Sequence, residues 1–233
     1  MWISRTGTDI AEAGRKGARQ VISEPHETVG VILAGGLGRR IGGRKAGRLL
    51  AGRSLLAHVL DRLAPQFPPG RLVLNANDMD PEFRQFGLPI VPDTVAGRPG
   101  PLAGLLAAMQ LAERRHQDIR WVLSAPTDTP FLPCNLLVAL TRRQRESNAD
   151  IVLSDSEAGL AHLCGLWSVG LATPLAHALA IGQNRVLDFV SRPAVASVRF
   201  PLQQIGRHTV DPFFNVNTLD DLAAAEHILK RET

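Results

Sequence analysis

The stretch VILAGGLGRRIGGRKAG, Val31 to Gly47, constrains the fold more than any other part of the chain. A β-branched run enters it and stops at glycines 35, 36, 38, 42 and 43, interleaved with Arg39, Arg40, Arg44 and Lys45. Glycine lets a backbone bend at positive φ and lets a ligand reach the amide groups, while guanidinium and ammonium groups bind phosphate oxygens. Such a strand and loop suit the carboxyl edge of an open sheet, where ligands bind. Two known glycine motifs nearly fit. Gly36 to Ile41 lacks the third glycine of a dinucleotide fingerprint, and Gly38 to Lys45 lacks the Ser or Thr of a phosphate loop, having Ala46 instead.

Beyond this stretch, short apolar runs rich in strand formers alternate with longer helical patterns, which predicts a largely parallel sheet covered by helices on both faces. Strands are expected at Val29 to Ala34, Arg71 to Ala76, Pro89 to Val91, Ile119 to Ser124, Asp150 to Ser154, Leu163 to Val169 and Ala196 to Phe200. Helices are expected from a Ser54 cap to Leu63, from Pro101 to Arg115, from an Asn135 cap to Glu146, and from Leu219 to Lys230. Residues 1–27 mix both charge signs without periodicity and read as a disordered N-terminal extension. Residues 28–233 read as one domain.

Charge and cysteine content narrow the function. The net charge is +4, and residues 39–53 hold six cations with no acid, so much of the basic excess belongs to one loop. With no Tyr and 5% aromatic residues, the chain lacks the stacking platforms of single-strand binders, which favours a small polyanion over nucleic acid. The two cysteines are too few for a disulfide framework and read as reduced thiols, and no apolar run is long enough for a signal peptide or membrane span. A cytoplasmic protein is expected, with no membrane partner.

The strand ends gather further candidates into one crevice. Asn75 and Asn77 close the second strand, Asp93 follows the third, and SAPTDTPFLP, Ser124 to Pro133, presents Asp128 on a turn stiffened by proline. Asp128 is either a hard-cation ligand or a turn aspartate. In HLCGLW, His162 and Trp167 either face a ligand or complete the core. In FFNVNTLDDL, Asn215 and Asn217 are turn residues or substrate contacts, and Thr218 is a helix cap.

Taken together, LAGG with its downstream arginine and lysine, LVLNAN, PDTVAGRPGPLAG, PTDTPFLP, HLCGLW and FFNVNTLDDLAAAE resemble the molybdenum cofactor guanylyltransferases from about Thr28 to Lys230. The resemblance implies a three-layer, Rossmann-like nucleotidyltransferase fold. It implies a reaction in which GMP passes from GTP to the terminal phosphate of molybdopterin or Mo-molybdopterin and pyrophosphate leaves. Leu33, Ala34, Gly35, Gly36, Lys45, Asn75, Asp93 and Asp128 would contact GTP, with Arg39 and Lys45 neutralising its phosphates and Asp128 binding Mg²⁺. His162, Trp167, Asn215 and Asn217 would lie near the pterin, and proteins that insert or accept the cofactor would be further partners. The family pattern Gly-Gly-x-Asp-Lys is one residue shorter here, Gly42-Gly43-Arg44-Lys45. The spacing from Lys45 to Gly52-Arg53 keeps the family's, which assigns Lys45 the lysine role. A sibling enzyme using CTP or a sugar phosphate, and a nucleotide binder without catalysis, are the competing readings.

Overall fold

The computed structural model describes residues 25–35, 47–77, 81–97, 100–115, 118–191 and 193–230. The bulk of the expected N-terminal extension and the segment 36–46, with Gly36, Arg39 and Lys45, lie outside the described residues.

Strand β1 (Thr28–Leu33) is buried along its whole length. A small hairpin, β2 (Leu49–Leu50) and β3 (Arg53–Ser54), runs directly into α1 (Leu55–Leu63), whose first turn is capped by Ser54 Oγ accepting from the Ala57 N–H at 3.2 Å. Next come β4 (Leu72–Asn75), the single turn α2 (Pro81–Arg84), β5 (Ile90–Val91), α3 (Pro101–Arg115) and β6 (Trp121–Pro126). The chain continues through α4 (Leu136–Ser147), β7 (Ile151–Ser156), β8 (Gly159–Ser168), α5 (Ala172–Ala180), α6 (Val186–Val190) and β9 (Val195–Arg199). A second hairpin, β10 (Gln203–Ile205) and β11 (His208–Val210), leads to α7 (Leu219–Leu229). Thr218 and Asp221 close a reciprocal capping box at the start of α7, as the sequence suggested for Thr218. Asn135 precedes α4 but makes no side-chain capping bond.

Seven strands form one sheet in the order β5-β4-β1-β6-β8-β7-β9. All pairings are parallel except those of β8, which runs against both β6 and β7. Alternation along the strands sorts side chains to two faces. Val29, Val31 and Leu33 of β1 join Val122, Ile151 and Leu153 under α3 and α5, while Ile32, Leu123, Ala125 and Val152 lie under α1 and α4. The α/β architecture with a mostly parallel sheet between helical layers is therefore the one expected. A third cluster, built from Leu50, Leu55, Phe131, Val210, Val216 and Ala225, ties both hairpins and α7 to the turn after β6.

The hairpins and helices α2, α5 and α6 are not foreseen in the sequence. The hairpin strands span only two or three residues, too few for a period to show. Strand β8 begins four residues earlier than expected because Gly159 to Ala161 pairs with the polar end of β7 and the stretch carries no apolar alternation.

Candidate active site

Strand β1 pairs with β4 on one side and β6 on the other; in the sheet the chain moves from β1 toward β4 but from β6 toward β7 and β8, so the direction of winding reverses between β1 and β6. Ligands of open α/β sheets bind at such a switch point. A cleft of about 210 Å³ opens there, lined by Leu33 and Gly35 after β1, Asn75 and Asn77 after β4, Asp93 after β5, Gly100 and Pro101 at the start of α3, and Pro126, Thr127 and Asp128 at the end of β6. The cleft thus brings together residues up to 130 positions apart, Leu33 to Leu163.

At the β5 end, polar groups form a closed network. Asn75, 3% exposed, donates from Nδ2 to the Val91 carbonyl at 3.0 Å and to Asp93 Oδ1 at 2.9 Å. Asn77 Nδ2 donates to Asp93 Oδ2 at 2.7 Å, and the Asp93 N–H donates back to Asn77 Oδ1 at 2.8 Å. The Asn75 amide has room only because α3 carries a glycine against it. A Cβ on Gly104 would lie 3.0 Å from Asn75 Nδ2 and nearer still to its Oδ1 and Cγ.

At the β6 end, Asp128 is 8% exposed, and its backbone carbonyl accepts from the Val216 N–H at 2.8 Å. That bond draws the FFNVN segment against the Asp128 turn. Next to it lies a wider cleft of about 520 Å³, lined by Pro126, Thr129, Ser156, His162, Leu163, Cys164, Asp211, Phe213, Phe214 and Asn215, among others. Pro126 and Leu163 border both clefts and form their common wall.

Strand β8 reaches this wall because it is antiparallel: its first residues lie at the carboxyl end of β6. There the pairing of β7 with β8 jumps from Leu153↔Gly165 to Ser154↔Ala161, so residues 162–164 bulge out of the ladder. The bulge is held from below. Trp167 Nε1 donates to Ser124 Oγ at 2.8 Å, and Ser124 Oγ donates to the Leu163 carbonyl at 2.8 Å. Within the bulge, burial pushes the Cys164 thiol up, the Asp128 charge pushes it the same way, and a hydrogen bond with Thr129 partly opposes them. Cys164 is therefore a neutral thiol in the wall and not a nucleophile.

Of the residues singled out from sequence, Leu33, Gly35, Asn75, Asp93 and Asp128 line the first cleft and His162 and Asn215 the second. Ala34 sits beside the cleft, its N–H donating to the Asn75 carbonyl at 2.9 Å. Asn217 is half-buried at the start of α7, its N–H donating to Asp221 Oδ2 at 2.9 Å, and lines neither cleft. Trp167 requires correction: it is 0% exposed inside the core under α3 and α5, so it braces the bulge and does not face substrate. Because β8 runs antiparallel, Trp167 pairs with Val122 and Ile151 near the amino ends of β6 and β7, away from the carboxyl edge where His162 lies. Asn77, gathered into the crevice from its strand end, also lines the first cleft. Gly104 and Ser124, which shape the surroundings of the clefts, were not foreseen; Gly104 could have been found as a glycine inside a helical pattern.

Two joined clefts at the carboxyl edge, the first bordered by Gly35 after β1 and both meeting at a turn that carries a carboxylate, are the layout of an α/β domain that can bring two ligands together. Residues 30–196 match the MobA-like NTP transferase domain. A molybdenum cofactor guanylyltransferase of Rhodopseudomonas palustris (strain BisB5) is 46% identical over 209 residues, 88% of this chain and 96% of that protein. One from Bradyrhizobium sp. (strain ORS 278) is 44% identical over 87% of this chain and 93% of its own length. The crystal structure of molybdopterin-guanine dinucleotide biosynthesis protein A from Archaeoglobus fulgidus superposes with a TM-score of 0.67 at 26% identity, covering 86% of this chain and 97% of that one. The chain belongs to the molybdenum cofactor guanylyltransferase family of nucleotidyltransferases.

Proposed function

We propose that this protein binds GTP in the first cleft and molybdopterin, free or Mo-loaded, in the second, and joins them into molybdopterin guanine dinucleotide. The observation that carries this reading is the shared wall: the Asp128 turn stands where the two clefts meet, with Thr127 and Asp128 on one side and Thr129 on the other. A transfer between two bound substrates needs such a junction.

In the reaction, an oxygen of the acceptor's terminal phosphate forms a bond to the α-phosphorus of GTP, the bond from that phosphorus to the bridging oxygen breaks, and pyrophosphate leaves. The attacking phosphate is already anionic, so no general base or nucleophilic side chain is required. The protein positions the reactants and neutralises charge, as in phosphoryl transfer generally. Backbone amides after β1 would cradle phosphate, and Lys45 and Arg39 would add cations from the adjoining loop. Asp128 suits Mg²⁺: it is a carboxylate in the cleft lining where the two clefts meet, and magnesium is usually held by one or two carboxylates together with substrate phosphates and water. Bound there, Mg²⁺ would neutralise phosphate charge. No helix among the described residues is long and apolar enough to cross a membrane.

Asp128→Asn tests the assignment. Pyrophosphate release should fall by about 10²-fold or more, the usual loss for a direct electrostatic contact to the reacting group, while the melting temperature holds. Turnover within twofold of the parent at saturating Mg²⁺ would remove Asp128 from the site. A panel of GTP, CTP and sugar phosphates tests the competing sibling reading, and a protein that releases no pyrophosphate with any acceptor would be a binder.

A further inference from the structure

Asp93 and Asp128 mark opposite ends of the nucleotide cleft. Strands β5 and β6, which present them, are three strand spacings apart, about 14 Å, so a nucleotide lying across the sheet can place its base at one end and its phosphates at the other. A carboxylate repels phosphate and accepts hydrogen bonds from N–H groups. Asp93 therefore belongs at the base end.

Its bracing is specific. Each Asp93 oxygen accepts one amide hydrogen bond, Oδ1 from Asn75 at 2.9 Å and Oδ2 from Asn77 at 2.7 Å, which leaves further lone pairs on both oxygens. The reciprocal bond from the Asp93 N–H to Asn77 Oδ1 at 2.8 Å fixes the carboxylate against the end of β4. The bracing groups are neutral amides, so they orient the carboxylate and leave its charge in place. A guanine edge offers two adjacent donors, the ring N1–H and the 2-amino group, matched to two oxygens of one carboxylate. We propose that Asn77 is a positioning residue for base selection: by clamping Asp93 it aligns both oxygens with that pair of donors, and so sets the preference for guanine over bases that lack one. This rests on the guanylyl-transfer reading.

The alternative is that Asn77 merely closes a loop. Equilibrium binding of GTP and ITP, which lacks only the 2-amino group, separates the two roles. The parent should prefer GTP by about 10-fold or more, the loss expected for one charge-assisted hydrogen bond. In Asn77→Ala the preference should shrink toward unity because GTP binding weakens far more than ITP binding. Asn77→Ser, with a shorter side chain, should behave likewise and serves where the alanine variant folds poorly. Equal weakening of both nucleotides, with the ratio kept, would overturn the positioning role. A parent that binds GTP and ITP equally would overturn base reading by Asp93, even with transfer intact. A parent that prefers CTP or ATP to GTP would overturn the guanylyl-transfer reading together with this one.

Discussion

Gly104→Ala should be destabilising even though alanine favours a helix. Inside α3 the substitution alone contributes about 1 kcal/mol of helix stabilisation. The new Cβ, however, falls on the Asn75 amide, and Asn75 is buried in a central strand with nowhere to retreat. Turning the amide away breaks its bond to the Val91 carbonyl, worth about 1 kcal/mol, and its bond to the Asp93 carboxylate, worth about 1.5–3 kcal/mol. The net loss is about 1.5–3 kcal/mol. For a chain of this size that corresponds to a fall of roughly 3–12 °C in melting temperature, measured by calorimetry without nucleotide. The decisive experiment repeats the substitution in an Asn75→Ala background. There the clash is gone, and Gly104→Ala should become neutral or stabilise by up to about 1 kcal/mol. An equal destabilisation in both backgrounds would refute the reasoning and place the cost in α3 itself.

Trp167→Phe should lower stability by about 1–3 kcal/mol through lost volume and a lost bond to Ser124, with GTP affinity nearly unchanged; a raised Kd for GTP in a protein of parental stability would contradict the core assignment. Titration of the native protein with a thiol reagent should modify exposed Cys134 rapidly and buried Cys164 only on unfolding, and rapid reaction of both would show that the wall opens. Lys45→Ala should abolish most pyrophosphate release whereas Arg44→Ala should do much less; near-parental rates for Lys45→Ala would mean that the glycines, and not the spacing to Gly52-Arg53, set the loop's frame.

The central sheet was legible because each of its strands is an apolar run bounded by turn residues, and because the carboxyl-edge rule needs only strand positions. It gathers Asn75, Asn77, Asp93 and Asp128 from strand ends alone. What stayed hidden depends on direction and register. Nothing in HLCGLW states that β8 runs antiparallel or that three residues leave the ladder, and those two facts put His162 at the wall and Trp167 in the core. The carboxamides of Asn75 and Asn77 were visible as residues, but their shared grip on Asp93 is a three-dimensional property of β4 and β5. Gly104 looked like an imperfection in a helix until the neighbour that requires it was seen.

The common wall of Pro126 and Leu163 also separates two inventories of side chains. The first cleft, proposed for the nucleotide, draws on the ends of β4 and β5 and the start of α3, whereas the other draws on the β7–β8 turn and the segment after β11. Mutations can therefore accumulate on one flank of the sheet while the other stays untouched. A library confined to residues 158–162 and 213–215 would sample new phosphorylated acceptors with the nucleotide apparatus kept whole, and one confined to 75–77 and 93 would do the converse. The scaffold is divided like an adaptor with two sockets, whose selectivities are free to evolve separately around one fixed point of bond exchange.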